Sequence, residues 1–294
     1  MTSDRLQIFK TIFISMVLEA LPFILIGVFV SALMQVFVSE QSMRKWIPKN
    51  PVLAIIVASV IGIIFPICEC GMVPVIRRLI KKGMPLYVAV VFILAGPILN
   101  PIVFLSTFSA FRNRPDIVYA RMGLAFVLAL VIGLIIYHFV RKDQLKVDLP
   151  TDDHQHFHEN KLTEIMTHTT SEFFEMGKFL LFGSLVAAGL QTFVARDSLA
   201  AIGDGWLSSH VVMMILAYLL SLCSTSDAFV ASSFSSTFSA GALVTFLVFG
   251  PMLNLKGTIM LAGVFKTRFV LLLSVLVLVF SLAGSLLVER FFLS

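Results

Sequence analysis

The sequence predicts an all-α polytopic membrane protein with eight to ten transmembrane helices in two homologous repeats, some of them broken or re-entrant. Of its 294 residues, 58% are hydrophobic and 13% are charged, and the mean hydropathy is +0.97. A chain of this composition has too little polar surface to cover a soluble globule. In addition, the pattern Gly-Pro-x-Leu-Asn occurs twice inside apolar stretches, beginning at Gly96 and at Gly250. Paired interruptions of this kind are typical of transporters built from two repeats.

Eight apolar stretches approach or reach the roughly 20 residues that cross a bilayer. They are residues 8–38, 52–67, 86–111, 117–140, 173–194, 211–223, 243–265 and 269–288. The first stretch is long and lacks a small-residue cleavage pattern, so we expect it to stay in the protein rather than to be removed as a signal peptide. We expect a multi-pass protein of the bacterial cytoplasmic membrane.

The spacing of similar residues indicates an internal duplication. Gly96 and Gly250 are 154 residues apart, and Cys68 and Cys223 are 155 apart. A stripe of every fourth residue also recurs, with Glu19, Phe23, Gly27, Ser31 and Gln35 in the first half and Glu175, Phe179, Gly183, Ala187 and Gln191 in the second. Residues four apart share one helix face, and small residues on it let another helix approach closely. The predicted division is repeat 1 at 1–140, a linker at 141–168 and repeat 2 at 169–294.

The sequence leaves the number of crossings open. If 66–74 and 96–101 are unwound points within two crossing helices, each half crosses four times and the repeats are parallel. If 68–80 is a further crossing, each half crosses five times and the repeats are inverted, which suits the distribution of Lys and Arg among the loops. A re-entrant segment is the third alternative, because 68–75 is too short to span the bilayer before Arg77.

Two interruptions of the apolar pattern are predicted to line a pocket. Residues 65–74 contain two prolines and Gly71, and residues 223–229 read Cys-Ser-Thr-Ser-Asp-Ala-Phe. Proline interrupts the helical hydrogen bonds, and unpaired backbone is tolerated at membrane depth only against protein or a water-filled cavity. The residues expected to bind the substrate are Cys68, Glu69, Cys70, Asn100, Cys223, Ser226, Asp227 and Asn254.

The cysteine thiols at these interruptions predict that the transported species is a soft or borderline ion. Thiolate ligands select Zn, Cu(I) and similar thiophilic species, and a trivalent arsenical bonds to sulfur for the same reason. Cys68, Cys70 and Cys223 are therefore the predicted ligands of a transported ion, although each is alternatively a small buried apolar side chain. Asn100 and Asn254 either offer amide oxygens to the substrate or cap broken helix ends.

Ionisable residues inside apolar stretches are further functional candidates. We expect Glu19 and Glu175 to carry coupling protons or cations, unless they pair with lysines near the helix starts. Lys256 is a candidate for binding an anionic substrate or for balancing the charge of Asp227.

The hydrophilic linker contains His154, His156 and His158 among acidic residues. This pattern predicts either a weak, exchangeable metal site or a solvated spacer. No resident cofactor, catalytic activity or nucleic-acid partner is expected, because the sequence has no nucleotide-binding loop, nucleophile elbow, zinc-protease motif or extended basic surface. Transport would have to use a gradient or a partner protein.

Several residues also carry a family resemblance: Pro66, Cys68, Cys70, Gly71, Pro74, 82–83, 96–101, 223–231 and 250–256. With them the chain resembles, over nearly its whole length, a bacterial predicted-permease family whose best-known members export trivalent organoarsenicals. It is particularly similar to the YcgR-like branch, which is linked to zinc homeostasis and whose genes often neighbour one for a small membrane protein. Two residues depart from the family pattern, since Glu69 replaces a common Ser and Asn254 a common Asp. The added acid favours a divalent cation over a neutral arsenical.

The predicted function is that of a secondary permease for a thiophilic metal or metalloid ion, either a zinc-like divalent cation or a trivalent arsenical. One alternative is a membrane subunit or scaffold of a two-component transporter. The other is an anion permease that uses Lys256 and the serine-rich segment after Cys223. The expected partners are the lipid bilayer, a small ion as substrate, and a small membrane protein encoded nearby.

Overall fold

A computed structural model describes residues 2–37, 48, 50–64, 68–140, 144–146, 161–193 and 205–293. In this part of the chain the regular elements are all α-helices, and the only β contact is an isolated bridge between Leu145 and Phe265. The helices are, in order, α1 Thr2–Phe37, α2 Pro51–Ile64, α3 Glu69–Lys81, α4 Leu86–Ala95, α5 Pro101–Ala110, α6 Pro115–Phe139, α7 Lys161–Phe193, α8 Trp206–Leu220, α9 Asp227–Ser233, α10 Ala240–Met252, α11 Leu255–Val264 and α12 Thr267–Phe292. The prediction of an all-α polytopic membrane protein is confirmed.

Length and composition identify the helices that are able to cross a membrane. Within the described ranges five segments are long and apolar enough: Arg5–Met34, Pro115–Phe139, Ile165–Thr192, Ala240–Val264 and Thr267–Phe292. Four shorter apolar helices accompany them, at Pro51–Gly62, Leu86–Ala95, Pro101–Ala110 and Trp206–Leu220. The segment Ala240–Val264 is itself interrupted where α10 ends and α11 begins.

The helix ends define two ends of the bundle. At one end, the connection between α3 and α4 lies beside Tyr137, His138 and Gln144. Residues 144–146 also bond to the connection between α11 and α12, with Lys146 N donating to Val264 O at 3.0 Å and Lys266 N to Gln144 O at 2.8 Å. We call this the linker end. At the opposite, far end, one open cleft brings together the first residues of α8 and α10, the residue before α6 and the last turn of α12.

The corresponding long helices of the two halves run in opposite directions. Helix α6 begins at the far end and finishes at the linker end, whereas α12 does the reverse, and the two pack together. Helix α1 approaches the linker end at Met34, whose carbonyl accepts a hydrogen bond from Lys82 Nζ at 2.8 Å. Helix α7 leaves that same end, because Glu172, near its start, pairs with Arg78 of α3. Helices α1 and α7 are therefore antiparallel.

Helices α2 and α3 reverse the direction of the chain inside the bundle, so that the segment begins and ends at the linker end. We call this segment the first hairpin, although its two arms pack mainly against other helices. Helix α2 runs parallel to α4, since a Cβ on Gly133 of α6 would touch both Ile55, in the first half of α2, and Val91, in the middle of α4. Near their ends, a Cβ on Gly62 would lie 3.3 Å from the Cα of Gly96. Helix α3 then returns to the linker end, where it leads directly into α4.

Helices α8 and α9 form a second hairpin, which enters from the far end. Helix α8 runs parallel to α10, because His210 near the start of α8 and Gly241 near the start of α10 both contact Glu289. Toward their ends, a Cβ on Gly250 would lie 3.4 Å from the Cβ of Ala217. Helix α9 and the turns after it lead back to the start of α10.

Four segments of the described chain run from end to end by these contacts: α4 with α5, α6, α10 with α11, and α12. Helices α1 and α7 are each long and apolar enough to cross as well. The four hairpin arms bring the number of embedded segments to ten. Of the three topologies that the sequence leaves open, these directions favour the re-entrant one, with the two halves inverted relative to each other. The two-repeat division at 1–140 and 169–294 itself stays a prediction, although the Gly62–Gly96 and Ala217–Gly250 contacts fall at the positions that such a repeat would relate.

Close helix crossings at glycine give the first testable prediction. A Cβ on Gly27 of α1 would lie 2.2 Å from the carbonyl oxygen of Gly71 in α3. Because backbone cannot yield as a side chain does, Gly27→Ala should destabilise the protein by about 1–3 kcal/mol. Thermal unfolding of the purified protein in detergent measures this. Gly177→Ala on α7 is the matched control, since nothing lies within 4 Å of its added Cβ; equal loss in both variants would contradict the crossing.

Candidate substrate site

The tip of the first hairpin meets the interruption of the second half near the middle of the bundle. Glu69, the first residue of α3, is 8% exposed, and its Oε1 accepts a hydrogen bond from Asn254 Nδ2 at 3.3 Å. Asn254 is 1% exposed and stands directly before α11. This contact brings together two residues that are 185 positions apart in the sequence.

The second carboxylate oxygen of Glu69 has no hydrogen-bond partner among the described residues and is buried. A cavity of about 20 Å³ lies beside it, lined by Glu69, Asn254, Thr258 and apolar residues. A cavity holds one water molecule at about 10–15 Å³, so there is room for one water or one small ion. A buried oxygen without a partner makes such an occupant favourable.

The three predicted thiol ligands lie around this carboxylate. Cys68, Cys70 and Cys223 are free and buried. The thiols of Cys68 and Cys70 are close enough to interact with each other, and Cys223 is within electrostatic reach of Glu69 and Glu19. Within the described ranges, however, no three His, Cys, Asp or Glu side chains are already arranged to hold a metal ion. A thiolate site would therefore have to assemble around its cargo.

Lys256 places a positive charge next to the same groups. It belongs to the first turn of α11, is 2% exposed, and lies within electrostatic reach of Glu69, Glu19 and Cys70. Its ammonium makes no hydrogen bond or ion pair with the described residues, whereas its backbone N–H donates to Ser221 Oγ at 3.4 Å. A buried ammonium without close partners is costly, so this charge is available to a ligand or to Glu69.

Glu19 connects α1 to the tip of the second hairpin. Its Oε1 accepts a hydrogen bond from Ser226 Oγ at 3.1 Å, and Ser226 also donates to the carbonyl of Cys223 at 3.3 Å. The carboxylate of Glu19 is half-buried. Glu19 and Ser226 are therefore in contact near Cys223, which lies within electrostatic reach of Glu69.

Asp227 is held in a different, fully buried cluster. Its Oδ2 accepts a hydrogen bond from Arg121 Nη2 at 2.8 Å. The same guanidinium donates to Thr107 Oγ1 at 2.7 Å and to the carbonyl of Ser224 at 3.1 Å. Arg121 and Thr107 are both 0% exposed. The balancing charge of Asp227 is thus Arg121 rather than Lys256.

Sequence reasoning missed Arg121. The signal was present, because a single arginine inside the apolar stretch 117–140 is as unusual as an intramembrane acid and needs a partner for the same reason. Only the three-dimensional contact identifies Asp227 as that partner, since the two residues are 106 positions apart.

Both predicted asparagines are helix caps. Asn100 Oδ1 accepts from the N–H of Val103 at 2.9 Å, and Asn254 Oδ1 accepts from that of Gly257 at 2.7 Å. Their amide nitrogens donate to Gly96 O at 3.3 Å and Gly250 O at 3.1 Å, respectively. The oxygens are therefore engaged by the backbone, and only Asn254 reaches another candidate residue, Glu69.

Glu175 lies away from the hairpin tips, toward the linker end. Its Oε2 accepts a hydrogen bond from Arg77 Nη1 at 2.7 Å, with Arg77 in the second half of α3. The pairing alternative foreseen for this acid is therefore realised with Arg77 instead of a lysine. Two stripe glycines do allow close approach as predicted, because Gly27 crosses Gly71 and Gly183 crosses Lys256.

The linker histidines His154, His156 and His158 lie outside the described residues. The serine-rich segment after α9 is described, and Ser235, Ser236 and Thr237 are exposed. On α9 itself, the hydroxyls of Ser232 and Ser233 bond to carbonyls of their own turn at 2.8 and 2.7 Å. The serine-rich segment therefore lies outside the buried cluster at Glu69.

Several known proteins are similar in sequence to this chain. A family model described as a predicted permease, ArsP_1, matches residues 5–290. The UPF0718 protein YcgR of Bacillus subtilis is 49% identical over 290 residues, which cover 98% of both chains. A Streptococcus mutans protein named "Putative two-component membrane permease complex subunit" is 39% identical over 264 residues, which cover 88% of both chains. No solved structure matches the chain.

Removing one partner of the buried ion pair should be far more costly than removing one on the surface. Asp227→Asn leaves Arg121 charged and buried, so we expect a loss of about 3–5 kcal/mol in the free energy of unfolding. Asp116→Asn, which breaks the exposed Arg114–Asp116 pair of 2.9 Å, should cost only about 0–1 kcal/mol. Thermal or denaturant unfolding in detergent compares the two, and similar losses would show that Arg121 has other compensation.

Proposed function

Because the chain belongs to the ArsP_1 family of predicted permeases, we propose that it is a secondary permease that moves a thiophilic metal or metalloid ion across the bacterial cytoplasmic membrane. The cargo is a zinc-like divalent cation or a trivalent arsenical. Transport rather than catalysis is the role of this chain.

The observation that carries this proposal is that the tip of the first hairpin contacts the α10–α11 interruption at a buried site, with Cys223 of the oppositely directed second hairpin within electrostatic reach of Glu69. The tip of the first hairpin brings Cys68, Glu69 and Cys70, and the tip of the second brings Cys223 and Ser226. Thiolates suit soft or borderline ions, and carboxylates add the charge that a divalent cation needs. A site between segments that enter from opposite ends is suited to opening to one side at a time.

The proposed orientation of the protein in the membrane follows from the distribution of Lys and Arg residues between the two ends of the bundle. Among the residues whose side chains the structure describes, the Lys and Arg residues of the linker end include Arg77, Arg78, Lys81, Lys82, Lys146, Lys266 and Arg268. Those of the far end include Arg5, Lys10, Arg112, Arg114 and Arg290. Cytoplasmic loops carry the excess of positive charge in membrane proteins, so the linker end is assigned to the cytoplasm.

Replacing both thiols of the first hairpin tests the cargo. Cys68→Ser with Cys70→Ser keeps the size of the side chains but removes two soft ligands, so uptake of zinc or trivalent arsenical into proteoliposomes should fall to the level of empty vesicles. Isotope or fluorescence flux measures it. Retained flux would exclude thiol coordination as the mechanism.

The control for this pair is a buried hydroxyl elsewhere in the bundle. Ser281 of α12 is 0% exposed, and its Oγ has no hydrogen-bond partner in the described part of the chain. Ser281→Ala should therefore leave flux close to the unmodified level. Loss of flux in this variant as well would point to general damage rather than to a missing ligand.

A second candidate is favoured by the name of the Streptococcus mutans relative, which refers to a subunit of a two-component membrane permease complex. In this alternative, the chain needs a second membrane protein in order to transport. Reconstitution distinguishes the two: the purified chain alone should carry flux if the first proposal holds. Flux that appears only after a genetically neighbouring small membrane protein is added would instead support the two-component alternative.

A further inference from the structure

The two hairpins are packed very differently, although they occupy corresponding positions in the two halves. In α3, ten of thirteen residues are buried. In α9, only Asp227, Ala228 and Ala231 are buried, and Phe229 is 54% exposed. The returning arm of the first hairpin, α3, is therefore closed over by its neighbours, whereas the returning arm of the second, α9, is not.

Helix α3 is enclosed by α1 and α7, among other helices. It crosses α1 at Gly27 and Gly71, and farther along Ser31 Oγ donates to Pro74 O at 3.4 Å. Toward the linker end, two ion pairs join α3 to α7, one between Arg77 and Glu175 at 2.7 Å and the other between Arg78 and Glu172.

The two pairs are buried deeply enough for the charges to matter. The exposed fractions of the side chains are 6% and 25% for Arg77 and Glu175, and 17% and 4% for Arg78 and Glu172. Charged groups that have lost most of their hydration are stable only when they are paired with an opposite charge. Separating α3 from α7 therefore requires breaking both pairs and hydrating four groups.

Helix α9 has no comparable attachment to α7 among the described residues. Its neighbours are α5 and α10, and Arg121 fixes its first turn to α6. In the described part of the chain, the turn before α9 bonds to α1 through Ser226 and Glu19. The attachment of this hairpin to α7 is through its other arm, where Gln191 Nε2 donates to the carbonyls of Leu219 and Leu220 at 3.0 Å. The surface of α9 that corresponds to the buried face of α3 remains exposed.

We propose that Arg77 and Arg78, with Glu175 and Glu172, form a charged latch that closes the linker end of the transport path in this conformation. The structure is then a state closed toward the linker end and looser toward the far end. In the alternate state the latch is broken, α3 moves away from α7, and Cys68, Glu69 and Cys70 face the linker end. The four residues are positioning residues, because they act through α3 and do not touch the cargo. This inference rests on the proposed permease function, but its test does not.

Whether the latch is closed or open can be measured without any substrate, from the rate at which the three natural cysteines react with a thiol reagent. A membrane-impermeant maleimide is applied to right-side-out and inside-out vesicles that contain the full chain, and mass spectrometry of the digested protein reports each cysteine separately. Glu172→Gln removes one ion pair. Labelling of Cys68 and Cys70 from the linker end should become about tenfold faster or more, because a lost pair shifts a two-state equilibrium toward the open state by at least that factor.

Cys223 is an internal control, since it belongs to the other hairpin. Its labelling from the far end should stay constant or slow down when the linker end opens. The double variant Arg78→Glu with Glu172→Arg, which restores the pair with reversed charges, should return Cys68 and Cys70 to slow labelling. Asp116→Asn, in the exposed pair at the far end, should change none of the three rates.

Three results would overturn the latch: unchanged rates in Glu172→Gln, an equal rise at all three cysteines, or no rescue by the charge reversal. If Glu172→Gln does not fold, Glu175→Gln removes the other ion pair, Arg77–Glu175, and should speed linker-end labelling of Cys68 and Cys70 in the same way; unchanged labelling in that variant overturns the proposal. The two proposals can fail separately. If the labelling results are as expected but flux survives the replacement of Cys68 and Cys70, the proposed thiol-bound cargo is wrong and the proposed latch stands.

Discussion

The structure depends on satisfying interrupted backbone in the middle of a helical bundle. In the described part of the chain, the ends of α4 and α10 and the starts of α3, α5, α9 and α11 all lie inside the bundle rather than at its ends. No lipid group can satisfy backbone donors and acceptors there. Asn100 and Asn254 supply the missing partners by capping α5 and α11. Because these caps use the side-chain oxygens, the interruptions are stable without a ligand and leave thiols and carboxylates free to face a cargo.

Each hairpin tip also carries one buried acid, and the two acids are neutralised in different ways. Asp227 shares Arg121 with Thr107 and the carbonyl of Ser224, in a fixed geometry. Glu69 has only one hydrogen bond, from Asn254, and a nearby lysine that forms no pair with it. A guanidinium with several directed hydrogen bonds holds one geometry, whereas an ammonium on a flexible stem does not. The second hairpin is therefore anchored at its tip, and the first has a tip that can rearrange around an ion.

Sequence reasoning reaches the class of the fold and the composition of the site, but not its pairings. The doubled Gly-Pro-x-Leu-Asn pattern predicts the positions of the two interruptions, because proline and glycine act locally on the helix. The direction of α2 and α3 is not local information. It depends on crossings such as Gly62 with Gly96, which involve residues on separate helices. For the same reason the sequence identifies Asp227 and Glu175 as unusual acids, yet only the fold shows that Arg121 and Arg77 neutralise them.

The resemblance implies Ser at position 69 and Asp at position 254, where this chain has Glu69 and Asn254, and these two residues are in direct contact. Asn254 donates to Glu69 at 3.3 Å. A common Asp at 254 beside Glu69 would bring two carboxylates together in a buried site, where like charges repel strongly. The combination of Ser at position 69 with Asp at position 254 avoids this repulsion, and so does the combination of Glu69 with Asn254. Either combination places one acid near Lys256. In this chain the acid belongs to α3, between the two cysteines. In the proposed alternation the negative charge therefore moves with the thiols, whereas an acid at 254 would stay on α11.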